Sequence, residues 1–215
     1  MPTLLHLDSS ADLTASRSRA ITATFADTWR SLGDDHTVVH RDLHRDPLPH
    51  LSDAALHFPP RLRPAGASPS PEQESLQQAI IAELLAADVL LVGVPLYNYS
   101  MPSTLKAWID YIHVPAVTAP FDDPATQQPM AGRPAVLVST RGGTYDQGSP
   151  SEFNDHAIPA LTLILGDALG MTLQTIVDTR TLTERLGGPV DEVAKQHTEL
   201  AAAHEAAAEA ARRLG

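Results

Sequence analysis

Three short polar segments of this chain carry the residue types needed to hold a flat, anionic molecule. In the first, Asp8-Ser9-Ser10-Ala11-Asp12-Leu13-Thr14-Ala15-Ser16-Arg17-Ser18, hydroxyls and backbone N–H groups meet the positive end of a helix opening near Arg17 or Ser18, which suits a phosphate monoester. Arg17 adds a permanent charge on a planar donor fork. In the second, Pro95-Leu96-Tyr97-Asn98-Tyr99-Ser100-Met101-Pro102, two tyrosines and an asparagine are placed to face a flat ring with polar edges. In the third, Ser139-Thr140-Arg141-Gly142-Gly143-Thr144-Tyr145, paired glycines let the backbone come close to a ligand and aim N–H groups at its carbonyl oxygens. Plainer accounts exist for two of these segments. Ser16 serves equally well as a helix cap with Ser9 and Ser10 in a turn, and a glycine pair is often needed only for positive φ. No G-x-G-x-x-G or Walker lysine motif occurs, which disfavours a dinucleotide clamp or a nucleoside-triphosphate site.

The elements that position these segments are short apolar runs alternating with longer stretches of helical period. Leu4 to Leu7, Thr37 to His40, Val89 to Val94, Ala135 to Val138 and Thr172 to Val177 read as strands. The two central runs are apolar without alternation, as in strands buried on both faces, whereas Thr37-Val38-Val39-His40 is shorter and more polar and suits an edge. A parallel sheet in the order 2-1-3-4-5 with helices on both faces follows, and it sets the loops after strands one, three and four side by side, where open α/β sheets bind ligands. Ser70-Pro71-Glu72-Gln73 opens a helix that carries Leu76, Ile80, Ile81 and Leu84. Ile21, Phe25, Trp29 and Leu32 form the buried stripe of the first helix, with Gly33 as its stop. A helix over Leu105 to Ile112, one over Phe153 to Leu169 and one over Val190 to Leu214 complete the set. The chain reads as a single domain over 1–215 with excursions at about 44–69 and 119–132. Prolines 47, 49, 59, 60, 64 and 69 break the first excursion, which has room for a short helix around Ser52 to Leu56, and Asp122 to Met130 suits a hairpin.

Composition narrows the function classes. Apolar residues make up 43% of the 215, as in a globular core. Acidic residues outnumber Lys and Arg by 26 to 15 and no basic cluster exceeds Arg212-Arg213, so nucleic acid is not an expected partner. Cysteine is absent, which removes disulfides, thiolate catalysis and sulfur-ligated metals, so redox chemistry has to come from a bound cofactor. No stretch reaches the ~18 apolar residues of a membrane span and the amino end lacks a secretion-signal pattern, so a cytoplasmic protein without membrane contact is expected. His36, His40 and His44 would share a face on a helix, but Thr37-Val38-Val39 favours a strand, on which they lie far apart; no metal site is expected.

Taken together these residues resemble the FMN-dependent NADH azoreductase family, which belongs to the flavodoxin-like NAD(P)H:quinone reductases. The likeness rests on Ser9-Ser10 followed by Ser16-Arg17-Ser18, the Pro95-Leu96-Tyr97-Asn98-Tyr99 loop running into Thr104-Leu105-Lys106-Ala107-Trp108-Ile109-Asp110, and Ser139-Thr140-Arg141-Gly142-Gly143, with Arg41-Asp42-Leu43 and Gly166 and Gly170 in support. It covers nearly the whole chain. The resemblance implies a flavodoxin-like three-layer sandwich whose Ser9, Ser10, Ser16, Arg17 and Ser18 hold the FMN phosphate. It places Pro95, Leu96, Tyr97, Asn98 and Tyr99 along the isoalloxazine and ribityl chain, and Ser139, Thr140, Arg141, Gly142 and Gly143 at the ring's polar edge. Arg17, Thr140 and Tyr99 stand where a neutral polar residue, serine and phenylalanine are common in the family.

The implied activity is a ping-pong transfer of electrons from NADH or NADPH through FMN to a quinone, an azo compound or a related conjugated acceptor, in a homodimer. Such chemistry asks little acid–base work of the protein, and Tyr99, Tyr145 and His57 are the weak candidates for a proton donor. Trp108 and Tyr111 suit either the core or the subunit contact that this family forms. The altered segments His57 to Ala67 and Ala119 to Met130 leave open a flavin enzyme specialised for a biosynthetic step on a dedicated metabolite. A non-enzymatic flavin electron carrier or sensor is the remaining alternative.

Overall fold

The computed structural model describes residues 1–121, 128–145 and 148–215. The hairpin expected between Asp122 and Met130 falls largely on 122–127, outside the described residues. Five parallel strands, β1 (Thr3–Asp8), β2 (Thr37–Asp42), β3 (Val89–Pro95), β4 (Pro134–Thr140) and β5 (Thr172–Asp178), form one sheet in the order β2-β1-β3-β4-β5. This is the order expected from the apolar runs, and the flavodoxin-like arrangement that the resemblance implies. Every residue of β3 is buried, in keeping with its unbroken Val-Leu-Leu-Val run, whereas β2 is half open to solvent at the sheet edge.

Helices cover both faces. On one side α1 (Arg17–Arg30) and α5 (Val190–Leu214) pack Ile21, Phe25, Trp29, Ala203 and Ala207 over Leu4, Leu91 and Val136. On the other, α2 (Pro71–Ala86), α3 (Ser103–Ile112) and α4 (Ile158–Leu161) bury Ile80, Leu84, Leu105, Trp108 and Leu161 against Leu5, Leu90, Val92 and Leu137. Each of these large side chains contributes about 1.5–3 kcal/mol by leaving water. The Ser70 hydroxyl accepts from the Gln73 N–H, the cap read from the sequence, worth about 1 kcal/mol.

Two boundaries differ from expectation, each for a local reason. Helix α1 ends at Arg30, short of Gly33, because the Ser31 hydroxyl donates to the Thr28 carbonyl at 2.6 Å and closes the last turn; Leu32 is left 37% exposed. The helix expected from Phe153 starts at Ile158. The Asp155 carboxylate accepts from the N–H groups of Ala157 and Ile158, which fixes the start, and Phe153, in a 3₁₀ turn (Glu152–Asn154), is 83% exposed. Beyond Leu161 the helix widens into a π-helical stretch, Thr162–Ala168. The first excursion is tied down: Leu48 and Leu51 pack on the core, 3₁₀ turns form at Ala54–His57 and Pro60–Leu62, and Gln77 Nε2 donates to the Leu56 carbonyl at 2.8 Å.

Candidate functional site

The carboxyl ends of β1, β3, β4 and β5 surround one cavity of about 620 Å³, within the range of small-molecule sites. Its first wall is the loop between β1 and α1. Asp12 Oδ1 accepts from the Thr14 and Ala15 N–H groups, at 2.9 Å each, which bends the loop and delivers Ser16 to the helix start. Ser16 is the N-cap, its Oγ accepting from the Arg19 N–H at 3.3 Å. The first-turn N–H groups of a helix lie outside its own hydrogen-bond ladder, and α1 has no acidic side chain in that turn, so its positive end faces the cavity uncompensated.

Beneath this loop lies a charged floor. The Arg19 guanidinium grips Asp42 with two bonds of 2.7 and 2.8 Å and donates to the Ser10 carbonyl at 2.7 Å, fixing the loop to β2. Burial works against the Asp42 charge, but donors from Arg19 and from the Arg45 and His44 N–H groups prevail and hold its pKa at about 2. Arg17 Nη1 reaches across to fully buried Asp178 at the end of β5, 3.4 Å from both carboxylate oxygens. Burial pushes the Asp178 pKa up, with Arg17 only partly offsetting it.

The second wall is the segment after β3, which closes as a tight turn: Tyr97 and Ser100 exchange backbone bonds of 2.9 and 3.0 Å, and Asn98 and Tyr99 both sit at positive φ, 49° and 68°. That is the twist of a type I′ turn, usually Asn-Gly. A tyrosine in the glycine position is strained by about 1–2 kcal/mol. It is held there by the His156 N–H donating to the Tyr99 carbonyl at 2.8 Å, and the ring stands 57% exposed at the cavity wall. Tyr97 runs the other way. Its hydroxyl lies 3.0 Å from Ser10 Oγ and accepts from the Ala11 N–H at 3.2 Å, joining the first and second walls. Gly93, on β3, leaves room for the Asp8 side chain of β1, since a Cβ there would stand 3.1 Å from Asp8 Oδ1.

The third wall starts at Thr140. Neither Gly142 nor Gly143 has positive φ, so the pair is not there for the turn alone. A Cβ on Gly142 would meet Leu182 Cδ1 at 2.8 Å, while one on Gly143 would meet nothing within 4 Å among the described residues. Tyr145 completes this side, with the Arg141 guanidinium 5.8 Å from its ring centre and ion-paired to Asp155 at 2.6 Å.

Of the residues singled out in the sequence, Ser10, Ser16, Arg17, Pro95, Leu96, Tyr97, Asn98, Tyr99, Thr140, Gly142 and Tyr145 line this cavity. Others stand behind it. The Ser9 hydroxyl is buried and donates to the Gly93 carbonyl at 2.6 Å, Ser18 is fully buried beside Ser16, and Ser139 is buried against Arg141. Gly143 receives the Arg180 N–H, and His57 lies exposed in the excursion, away from the lining. Sequence reading missed the fourth wall, Thr181, Leu182 and Arg185 after β5, together with Asp12 and Ala15. The same carboxyl-end rule that found three loops points to this one, but its residues carry no glycine pair or aromatic run to mark it.

Comparison with known proteins agrees with the architecture. A family profile described as "Flavodoxin-like fold" matches residues 2–213. The chain is 55% identical, over its whole length and 98% of the relative, to an FMN-dependent NADH:quinone oxidoreductase of Kineococcus radiotolerans. It is 37% identical, over all of its length and 97% of the relative, to one of Streptomyces avermitilis. Among solved structures, an azoreductase of Bacillus anthracis shares the fold with a TM-score of 0.79 at 20% identity, covering 99% of this chain and 100% of that one. An FMN-dependent NADH-azoreductase of the same organism, in complex with FMN, has a TM-score of 0.78 at 20% identity, covering 100% and 99%.

Proposed function

This chain belongs to the flavodoxin-like family that includes the FMN-dependent NADH:quinone oxidoreductases, and we propose that its four-walled cavity is the FMN site of such an enzyme. The protein is an FMN-dependent oxidoreductase that takes electrons from NADH and gives them to quinones, azo compounds or similar conjugated acceptors. FMN bound there would supply the two-electron chemistry that links the nicotinamide to the acceptor.

One observation carries the assignment of the site: an uncompensated helix start beside Arg17 and an exposed tyrosine wall lie at two parts of one 620 Å³ cavity. In this reading the Ser10 and Ser16 hydroxyls, the α1 N–H groups and Arg17 bind the phosphate dianion. Asp178 keeps Arg17 pointed across the strand ends and Arg19 keeps the Ser10 carbonyl turned away from the ligand. Leu96 and Tyr99 orient the ring from one side. Backbone donors around Thr140 and Gly142 face its polar edge, where negative charge develops on reduction, and the open space at Gly143 leaves room for approach. Thr181, Leu182 and Arg185 close the rim. The same reading makes the enzyme a homodimer acting in the cytoplasm, where NADH is produced; exposed Tyr99, Phe121 and Leu163 offer apolar surface for a subunit contact. Among the described residues no helix is long and apolar enough to cross a membrane.

The test is an anaerobic NADH titration of the purified yellow protein. Bleaching at one NADH per flavin followed by recovery of colour with a simple quinone is expected. A bound flavin that NADH leaves oxidised would overturn the assignment.

A further inference from the structure

Behind the β1–α1 loop, outside the cavity, three potential metal ligands meet. His6 and Asp8 are two residues apart on β1 and so share a face, and His40 is the direct partner of His6 on β2. One ligand atom from each lies within 4.8 Å of the others. Asp8 Oδ2 is 3.0 Å from His40 Nε2 and 3.4 Å from His6 Nε2, and the two imidazole centres are 4.5 Å apart. Neighbouring ligands around a tetrahedral ion with bonds near 2.1 Å stand about 3.4 Å apart.

The His6 nitrogen is the telling atom. Its side chain is 5% exposed, yet Nε2 has no hydrogen-bond partner among the described residues: the Asp8 oxygen is close enough for attraction but off the line a hydrogen bond requires. His40 Nε2 and Asp8 Oδ2 are hydrogen-bonded to each other, so an ion entering here would replace that bond with two of its own and give His6 Nε2 the partner it lacks. Thr22 Oγ1 donates to Asp8 Oδ1 at 2.9 Å and holds the carboxylate with its other oxygen toward the two imidazoles. His40, whose side chain is 43% exposed, gives a path from solvent and room for water as a further ligand.

We propose that His6, Asp8 and His40 form a binding site for a divalent first-row transition ion such as Zn²⁺ or Co²⁺. Two imidazoles and a single carboxylate suit these ions and not Mg²⁺ or Ca²⁺, which take oxygen ligands. Arg19 Nη1 lies 3.6 Å from Asp8 Oδ2, and its charge is already matched by the two bonds to Asp42. It lowers the affinity without filling the ligand position. A bound ion would pin β1 to β2 directly under Ser9 and Ser10, so it acts as a clamp on the loop floor and takes no part in electron transfer.

Co²⁺ titration of the purified flavin-bound protein tests this, read at wavelengths beyond the flavin absorption. One saturable ion per chain is expected, with the ring-proton NMR signals of two histidines shifted by the paramagnetic metal. His40→Ala should weaken binding by at least about a hundredfold, because loss of even an outer-shell partner costs about 10–100-fold. His44→Ala, at an exposed position just beyond β2, should leave it unchanged. No saturable binding, unshifted histidine signals, or equal affinity in His40→Ala would overturn the site. None of these results depends on whether NADH reduces the flavin.

Discussion

Replacing Tyr99 by glycine should raise the thermal stability of the flavin-free protein while weakening its hold on FMN. Tyr99 sits at φ 68°, a conformation that costs a side-chain-bearing residue about 1–2 kcal/mol. Glycine removes that cost but adds about 0.5–1 kcal/mol of unfolded-state entropy. The ring is 57% exposed, so its loss forfeits little burial, and the bond from the His156 N–H is to backbone and survives. The balance is about 0.5–1 kcal/mol in favour of the variant, or about 1–4 °C in Tm for a chain of this size. Circular dichroism melting of the flavin-free proteins reads the shift directly. Adding saturating FMN should then lift the Tm of the parent more than that of the variant, because the variant has lost one wall of the cavity. Asn98→Gly, at φ 49°, should change Tm less, since asparagine tolerates this region. A Tm that falls by about 2 °C or more in flavin-free Tyr99→Gly would show that the turn is not strained as described.

Arg17→Gln combined with Asp178→Asn removes the phosphate-facing charge without stranding a buried carboxylate. It should raise the FMN dissociation constant about 10–100-fold by fluorescence quenching, the worth of a charge-assisted bond, and equal affinity would remove Arg17 from the phosphate role. Asp42 is held at about pKa 2, below the usual unfolded value of about 3.9. Its contribution is therefore present above pH 4 and lost as pH falls toward 2, so urea midpoints of the parent should drop across that window more steeply than those of Asp42→Asn. Trp29→Phe should cost about 1 kcal/mol more than Trp108→Phe: Trp29 donates its indole N–H to the Thr37 carbonyl at 3.1 Å, whereas the buried Trp108 N–H has no partner to lose among the described residues. Denaturant unfolding at pH 7 compares the two.

Much of this fold is written in local pattern. The unbroken Val89-Leu90-Leu91-Val92 run forces a strand buried on both faces, and the serine caps at Ser16 and Ser70 set helix starts that lie where the spacing puts them. What local pattern does not carry is register and side-chain reach. His6 meets Asp8 and His40 only because β1 and β2 pair in one register, and on sequence spacing His40 looked instead toward His36 and His44. Tyr97, which lines the cavity, also reaches Ser10 with its hydroxyl, and Ser9 turns inward to Gly93, choices fixed by the approach of two loops that are distant in sequence. Helix ends failed where a side chain closes the turn early, as at Ser31, or fixes the start late, as at Asp155. The loop after β5 escaped notice because Thr181, Leu182 and Arg185 act by position at the sheet's carboxyl edge and carry no residue type that announces a site.

A crystal structure of the protein grown with FMN is the most direct trial of the site. The phosphate should lie within hydrogen-bonding distance of the first-turn N–H groups of α1, Ser16 Oγ and Arg17, with the ring between Tyr99 and the Thr140–Gly142 backbone. FMN seated elsewhere on the sheet, or with its phosphate turned away from the start of α1, would contradict it.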